Sequence, residues 1–302
     1  MWQAIATVVT VIVTALSLFI WAKTPSYTSD EPAPISYSIP FLGHALGFVN
    51  RHRELMNESK YVFSRTFVPD PLKLMHSAIS KGQPFSMLVA GRKHYVFSSL
   101  ADITTIYKTK TLDIKGFVIL LYKGCFGMSD REATQLDAIK PIVHDVNTTY
   151  LLTAKNNAVT ASKYFTLLDE VFSTLDKEIK ESATSSVIKD GFEFVTDTQG
   201  TATVGAYFGQ TLLDINPKIL LDLGAFIQDG FFPALAGVPE FLIPKPVAAR
   251  ERAILNLKDF MKIVEKDDGL TSPFLAFRMK QLNEQGIGKN AHARDLFGLL
   301  FG

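Results

Sequence analysis

The chain of 302 residues has a single cysteine, Cys125, and no excess of charge of either sign. One cysteine excludes an intrachain disulfide framework and paired-cysteine zinc sites, and it fits a reducing compartment. Lys and Arg number 31 against 30 Asp and Glu, a net charge of +1. This balance argues against a nucleic-acid partner. The six histidines are scattered without metal-ligand spacing, so we predict no metal site of that kind.

Charged side chains are absent from residues 1–22, MWQAIATVVTVIVTALSLFIWA. A helix of this length is about 33 Å long, enough to cross a bilayer core of about 30 Å. Trp2 and Trp21 lie near its two ends, where amphipathic rings prefer the membrane interface. The alternative is a cleaved signal peptide, which would need a basic start and a shorter apolar core. We therefore predict a single transmembrane anchor at residues 1–22.

The basic residues that flank the predicted anchor all follow it, beginning with Lys23. The positive-inside tendency then leaves the short N-terminus outside and the body of the protein in the cytosol. Two acceptor sequons begin at Asn57 and Asn147, and they would be modified only in a lumenal body. We predict that both asparagines are unmodified.

Residues 23–49 follow the anchor and are rich in proline. Proline fixes φ and removes a hydrogen-bond donor, so this hinge is predicted to be extended and stiff. Residues 84–99, PFSMLVAGRKHYVFSS, then read as strand, turn and strand, with the loop predicted at residues 91–94. Ser98 or Ser99 is a suitable N-cap for a helix that begins near residue 100.

From about residue 131 the apolar periodicity is helical nearly throughout. Residues 164–180 and 246–266 are the clearest amphipathic helices. Residues 229–246 read as a connection with four prolines and almost no charge, which is unusually apolar for a surface loop. The predicted fold is therefore mainly α with a small β-hairpin. The apolar connection could dip into a membrane, roof a hydrophobic pocket or be an ordinary buried segment.

Taken in order, these features resemble the N-terminal part of a microsomal cytochrome P450, a haem-thiolate monooxygenase. The features that carry the resemblance are the anchor, the hinge ending SIPFLGHALGF, the hairpin MLVAGRKHYVFSS and the helix ADITTIYK. The resemblance is closest to the fungal, sterol-hydroxylase or prostacyclin-synthase-like branches. It divides the chain into an anchor at 1–22, a hinge at 23–49 and an incomplete P450 domain at 50–302, with DLFGLLFG opening the central helix.

The resemblance implies an endoplasmic reticulum protein that uses haem, oxygen and a NADPH-dependent reductase to hydroxylate a hydrophobic, sterol-like or secondary-metabolite-like molecule. It also implies a substrate pocket walled by the segment around residues 117–120, the apolar connection and the start of the central helix. The candidate pocket residues are Phe117, Val118, Leu120, Phe231, Phe232, Phe297 and Phe301. The membrane and a hydrophobic small molecule are the other expected partners, and no nucleic acid is expected.

The chain departs from the P450 pattern where catalysis would be expected. It has no glutamate followed three residues later by arginine, and no Phe-x-x-Gly loop with a ligand cysteine. Of three positions that surround the family's ligand cysteine, only Gly127 matches around Cys125. We therefore predict that Cys125 is a small structural residue, that the chain has no catalytic residue or haem ligand of its own, and that it does not bind haem stably.

Two hypotheses about function remain open. In the first, the chain is the N-terminal portion of an oxygen-activating hydroxylase and is inactive alone. In the second, it is a non-catalytic remnant, or a membrane-tethered binding or interaction protein. A third class, an anchored hydrolase, lacks a Gly-x-Ser-x-Gly nucleophile elbow. The glycine-rich segment 286–291, GIGKNA, is predicted to be a turn between helices, because no strand precedes it.

Overall fold

The computed structural model describes the chain in several stretches, which are Thr14, Ala78 and residues 24–35, 43–45, 81–181 and 191–301. The predicted anchor, residues 1–22, lies outside the described residues except for Thr14, and so does Asn57. Within the described stretches, no helix is long and apolar enough to cross a membrane. The anchor stays a prediction.

The described chain divides into two compact units, one made of residues 1–116 and 229–244 and the other of residues 117–228 and 245–302. The first unit contains a two-stranded antiparallel sheet, β1 at Phe85–Val89 and β2 at Arg92–Val96. Helix α1, Leu100–Lys108, follows the sheet. The other regular elements in the described stretches are helical, which confirms the prediction of a mainly α protein with a small hairpin.

The hairpin turn is tighter than the predicted loop at residues 91–94. Ala90 and Gly91 have φ values of 49° and 78°, and Val89 pairs directly with Arg92. Two successive residues with positive φ make the kind of two-residue turn whose twist matches that of paired strands. The predicted loop was therefore wrong for Arg92, Lys93 and His94, which belong to β2.

Strand β1 is buried along its whole length because it also pairs with the proline-rich hinge. Ser86 donates its backbone N–H to Ala33 O at 3.0 Å and accepts from Ile35 N at 2.9 Å. Gly43 (φ 55°) forms a second bridge to β1, and a Cβ at this position would lie 2.1 Å from Leu88 O. The described part of the hinge is thus attached to the sheet rather than a free spacer.

Helix α1 begins where its cap was predicted. The Ser99 hydroxyl accepts a hydrogen bond from Asp102 N at 3.0 Å, and the Ser99 backbone is extended. This satisfies one of the N–H groups that a helix leaves unpaired at its start. The apolar face of α1 is open, since Leu100 and Tyr107 are largely exposed.

The remaining helices follow in chain order, with α10 in the first unit. They are α2 (Lys115–Leu120), α3 (Asp130–Ala138), α4 (Lys140–Asn147), α5 (Ala154–Glu181), α6 (Gly191–Val195), α7 (Thr201–Tyr207), α8 (Gln210–Ile215), α9 (Ile219–Asp229), α10 (Phe231–Leu235), α11 (Pro244–Val264), α12 (Pro273–Glu284) and α13 (Lys289–Leu299). Helices α2, α4 and α6 each run into a π turn, at Leu121–Cys125, Thr148–Leu152 and Thr196–Gly200.

The two predicted amphipathic helices are confirmed as α5 and α11, and both begin earlier than their apolar patterns indicated. Residues 285–288 join α12 to α13, so the turn predicted for the segment 286–291 is confirmed at residues 286–288, whereas residues 289–291 already belong to α13. The connection at 229–246 is not a plain loop, because it contains α10 and a 3-10 turn at Glu240–Leu242.

Candidate functional site

The candidate site of the second unit begins at the turn around the lone cysteine. Helix α2 widens into the π turn Leu121–Cys125, which closes with hydrogen bonds from Phe126 N to Leu121 O and from Met128 N to Tyr122 O. Gly127 then takes a φ of 67°, a conformation that glycine adopts without strain. We call residues 124–127, Gly-Cys-Phe-Gly, the cysteine loop.

Helix α3 leaves the cysteine loop through a capping box. The Ser129 hydroxyl accepts from Glu132 N, and the Glu132 carboxylate accepts from Ser129 N at 2.8 Å. Asn290 of α13 donates a further hydrogen bond to Glu132 at 2.7 Å. Burial raises the pKa of Glu132, but the bonds from Asn290 and Ser129 outweigh it and hold the pKa below its usual value. The charged carboxylate therefore ties α3 to α13.

Two arginines donate hydrogen bonds to backbone carbonyls of the cysteine loop. Arg250 of α11 donates to Gly124 O at 3.1 Å, and Arg294 of α13 donates to Phe126 O at 2.7 Å. Glu251 joins them, because its carboxylate accepts from both guanidinium groups at 2.7 to 3.0 Å. We call Arg250, Glu251 and Arg294 the arginine clamp.

The arginine clamp fits only a glycine at position 127. A Cβ added to Gly127 would lie 2.6 Å from Arg294 Nη1 and 2.7 Å from Arg250 Cζ. Burial raises the pKa of Glu251, but its bonds and charge interactions with Arg294 and Arg250 outweigh this and lower the pKa below its usual value. The clamp is therefore a charged network at neutral pH, and it fixes the backbone on both sides of Cys125.

Cys125 is fully buried in this loop. Burial raises the pKa of its thiol to about 12, and the positive charge of Arg250 offsets only part of the shift. The carbonyls of the neighbouring residues, Gly124 and Phe126, are already bonded to the clamp. The thiol is thus neutral at physiological pH, as in a core residue, and the structural role of Cys125 stays a prediction.

A cluster of four phenylalanines packs beside the cysteine loop. Phe297 of α13 contacts Phe301, Phe226 and Phe126, with ring centroids 5.2, 5.7 and 6.2 Å apart and near edge-to-face angles. The Phe126 ring lies against α13 at Gly298, where a Cβ would come within 2.6 Å of it. We call Phe126, Phe226, Phe297 and Phe301 the phenylalanine cluster.

The predicted pocket residues occupy different environments. Phe297 and Phe301 come together in the phenylalanine cluster, where Phe297 is fully buried and Phe301 half-buried. Val118 and Leu120 of α2 are half-buried, while Phe117 is 47% exposed. Phe231 and Phe232 belong to the first unit and contact each other at 5.4 Å, both half-buried. Their shared role in a substrate pocket stays a prediction.

Sequence reasoning missed a buried ion pair between α12 and α13. Arg278 of α12 makes two hydrogen bonds of 2.8 Å to Asp295 of α13, and both side chains are about 5% exposed. Arg278 also donates to Asn147 Oδ1 at 3.0 Å. Burial, followed by the charge of Asp295, raises the pKa of the nearby Tyr122 to about 12. No local pattern indicates this network, since Arg278 and Asp295 are 17 residues apart and lie on different helices.

The second unit also contains a cavity of about 460 Å³ between α5, α7 and α12. Its lining is mainly aromatic and aliphatic, with hydroxyl and amide groups but no acidic or basic side chain. Its lining includes Thr160, Tyr164, Phe165, Tyr207 and Phe274. This composition suits an apolar or aromatic guest rather than an ion.

No known protein-family profile matches the chain. Its sequence is 32% identical over 273 residues to the cytochrome P450 monooxygenase poxD of Penicillium oxalicum. The chain is related to the cytochrome P450 monooxygenases. The match covers 90% of this chain and 52% of that protein, so the chain spans about half the length of its P450 relative.

A P450 relationship implies haem. The haem iron of this family is held by a cysteine thiolate, so the question is whether Cys125 could supply one. The one thiol of the chain is buried, and its raised pKa keeps it protonated. The described residues contain no cluster of three His, Cys, Asp or Glu side chains suited to a metal ion. The described residues therefore do not fit the thiolate role.

Proposed function

We propose that the chain is the N-terminal part of a microsomal, membrane-anchored cytochrome P450 domain of the fungal, sterol-hydroxylase or prostacyclin-synthase-like kind. The observation that carries the proposal is the 32% identity to a P450 monooxygenase over 90% of this chain. The activity that goes with the family is hydroxylation of a hydrophobic molecule with oxygen and electrons from a NADPH-dependent reductase. In this proposal the chain supplies pocket walls and needs a haem ligand from elsewhere, so it is inactive alone.

Our assignment of the pocket rests on the phenylalanine cluster and on the arginine clamp behind it. Phe297 and Phe301 lie on α13 beside Phe126 of the cysteine loop, and all three belong to the second unit. The clamp fixes the backbone of the cysteine loop. This would keep Phe126 and the rest of the phenylalanine cluster in one position beside a bound substrate. Phe117, Val118 and Leu120 are the proposed continuation of this wall along α2.

The proposed topology is a single anchor with the body in the cytosol, at the endoplasmic reticulum membrane. Asn147, in the second sequon, is half-buried and its Oδ1 accepts from Arg278 at 3.0 Å, so a glycan on the neighbouring Nδ2 would crowd this contact, which favours an unmodified Asn147. Expression in microsomes followed by endoglycosidase treatment tests this point. No mobility shift is expected, and a shift that an Asn147→Gln change removes would place the body in the lumen.

The neutral state of Cys125 favours a second candidate function. A chain whose one thiol is protonated and buried could act without chemistry, as a remnant or as a membrane-tethered binding or interaction protein. In that case the cavity near α5 and the phenylalanine cluster would bind a partner or a small molecule without oxidising it. The haem experiment below addresses catalysis by the chain alone.

The reduced carbon monoxide difference spectrum of residues 1–302 in microsomes tests the proposal. We expect no thiolate-type Soret band from membrane-bound protein whose amount is verified by immunoblot. A thiolate-type band that disappears in Cys125→Ala would overturn the assignment of Cys125 as structural, since the chain has no other thiol. Cys125→Ser provides a matched control, because it keeps the size of the side chain but cannot supply sulfur.

A further inference from the structure

Strand β2 contacts two segments that are far apart in the sequence, the hinge and the apolar connection. Successive side chains of a strand point to opposite faces of the sheet, so Arg92 and His94 share one face and Lys93 and Tyr95 share the other. The face of Lys93 contacts the hinge, and the face of His94 contacts the apolar connection. These segments and β2 all belong to the first unit.

Lys93 makes the contacts on the hinge side of β2. Its ammonium group donates to both carboxylate oxygens of Glu31, at 2.7 and 2.6 Å, and lies 4.6 Å from the centre of the Tyr27 ring. The hydrogen bond from Lys93 lowers the pKa of Glu31, so the pair is charged at neutral pH. The hinge is therefore bound to β2 through one charged side chain.

On the other side of β2, helix α10 ends in a Schellman motif. Val238 N–H donates to Pro233 O at 2.9 Å. Gly237 N–H donates to Ala234 O at 3.0 Å, and Gly237 has the positive φ, 84°, that this motif requires. Neither bond uses the carbonyl of Ala236, which is one of the groups that a helix leaves unpaired at its end.

Two side chains of β2 hold this helix end. His94 Nε2 lies 3.2 Å from Ala236 O, and because a carbonyl can only accept, the ring donates through its Nε2–H. Arg92 lies against Gly237, where an added Cβ would come within 3.2 Å of the arginine Cδ and Cζ atoms. Ala236 is buried and His94 is half-buried, so the carbonyl would lose much by giving up this donor.

We propose that β2 is a two-sided latch. Its Arg92 and His94 face keeps the apolar connection on the hairpin, and its Lys93 face keeps the hinge there, so that each segment is released without the other. The separation follows from the geometry, because the two faces share only the β2 backbone, which is held by its pairing with β1.

The latch has a consequence for the pocket predicted from the P450 relationship, in which the apolar connection is one wall. Arg92 and His94 would act there as positioning residues that set how often this wall opens. This consequence rests on the proposed function. The latch itself does not, since it uses neither the cysteine loop nor the phenylalanine cluster.

Hydrogen exchange followed by mass spectrometry tests the latch, with the full chain in nanodiscs of uncharged lipid. His94→Phe keeps an aromatic ring but removes the donor to Ala236 O. We expect amide exchange in residues 231–243 to become about three to ten times faster, as the loss of one hydrogen bond predicts. His94→Gln is the matched control, because its amide group still donates, and exchange should stay within about twofold of the parent chain.

Lys93→Met tests whether the two sides of the latch are separate. It removes the charge that binds Glu31 but keeps a side chain of similar length. Chymotrypsin should then cut after Tyr27 at least about threefold faster, while exchange in residues 231–243 stays unchanged. In His94→Phe the rate of this cleavage should equal that of the parent chain.

Four results would overturn the proposal. Unchanged exchange of residues 231–243 in His94→Phe, or equal acceleration in His94→Phe and His94→Gln, would mean that the hydrogen bond does not hold the connection. Acceleration of the same residues in Lys93→Met would mean that the two sides are not separate. Equal acceleration of residues 85–96 and 231–243 in His94→Phe would mean that the hairpin itself is lost. None of these readouts depends on haem, so failure of the latch is distinguishable from failure of the proposed function.

Discussion

Helices α5 and α11 both carry an apolar stripe with charged side chains on the opposite face, but their surroundings differ. Helix α11 has 21 residues and buries eight side chains, including Arg250, whereas α5 has 28 residues and buries one, Thr160. Both helices are described along their whole length. An amphipathic pattern thus predicts a helix and the side that it can bury, but not whether another element covers that side.

The difference separates two kinds of role within the second unit. Around α11 and α13, buried charges, bonded carbonyls and aromatic packing fix the cysteine loop. Along α5, apolar side chains stay exposed and the ion pairs are at the surface. Changes in the first region should therefore cost more folding stability than changes in the second.

The largest expected effect is at the buried ion pair. Arg278→Met leaves the Asp295 carboxylate buried without its partner, and we expect a loss of about 3 to 5 kcal/mol in the free energy of unfolding. Lys180→Met on α5 is the matched control, because its pair with Asp176 is exposed and is worth at most about 1 kcal/mol. Urea unfolding in detergent, followed by near-ultraviolet circular dichroism, measures both. Similar losses in the two variants would contradict the contrast between the regions.

A second pair of changes compares two phenylalanines. Phe297→Ala removes a fully buried ring from the phenylalanine cluster and should cost about 3 to 5 kcal/mol. Phe172→Ala on α5 removes an exposed ring and should change stability by less than about 1 kcal/mol. The same unfolding experiment applies, and tryptophan fluorescence is unsuitable because Trp2 and Trp21 both lie in the predicted anchor. A large loss in Phe172→Ala would show that α5 is covered in solution.

A smaller effect is expected at the glycine of the cysteine loop. Gly127→Ala places a Cβ against both clamp arginines and forces alanine into a positive φ, which alone costs about 1 to 2 kcal/mol. In Gly116→Ala the new Cβ meets nothing within 4 Å, in a helix where alanine is favoured over glycine. We expect a lower thermal midpoint for Gly127→Ala and an unchanged or higher one for Gly116→Ala. The reverse order would argue against the clamp geometry.

The smallest predicted effect is a dependence of stability on pH. Burial lowers the pKa of His292 on α13, while the Leu282 carbonyl and Asp295 oppose the shift and Lys289 adds to it. Because the folded state favours the neutral ring, the unfolded chain takes up the proton first. This contribution to stability is complete above the ordinary histidine pKa of about 6.5 and is lost as the pH falls below it.

His292→Gln should therefore flatten the fall in the thermal midpoint between about pH 7.5 and 5.5. Part of the fall should remain, since burial also lowers the pKa of His94 in the first unit. His144→Gln, at an exposed position on α4, is the control and should keep the profile of the parent chain. A profile of His292→Gln identical to that of the parent would contradict the prediction.

Local signals in the sequence predicted the local structure well. Ser99 caps α1, and residues 286–288 lie in the turn before α13, because hydroxyl caps and glycine act within a few residues. The hairpin was predicted but its turn was not, since Ala90 has a positive φ that alanine seldom adopts.

The candidate site depends on contacts that the sequence does not display. The phenylalanines of α13 were predicted, but Phe126 and Phe226 come from distant segments and join them only through the fold. Charged residues that are buried look like surface residues in the sequence, so Arg250, Arg278 and Asp295 had no signal that distinguished them. The relationship to P450s could be predicted from the sequence because several weak motifs occur along the chain in the order typical of that family.

Alkylation of Cys125 by iodoacetamide tests most directly whether the cysteine is a core residue held by the arginine clamp. The chain has one cysteine, so the extent of reaction measured by mass spectrometry refers to this thiol alone. With a pKa raised to about 12 and full burial, the folded chain at about pH 8 should stay unmodified while the urea-unfolded chain reacts completely. Alkylation of the folded chain as fast as the unfolded chain, or faster, would mean an accessible thiolate and would contradict the account.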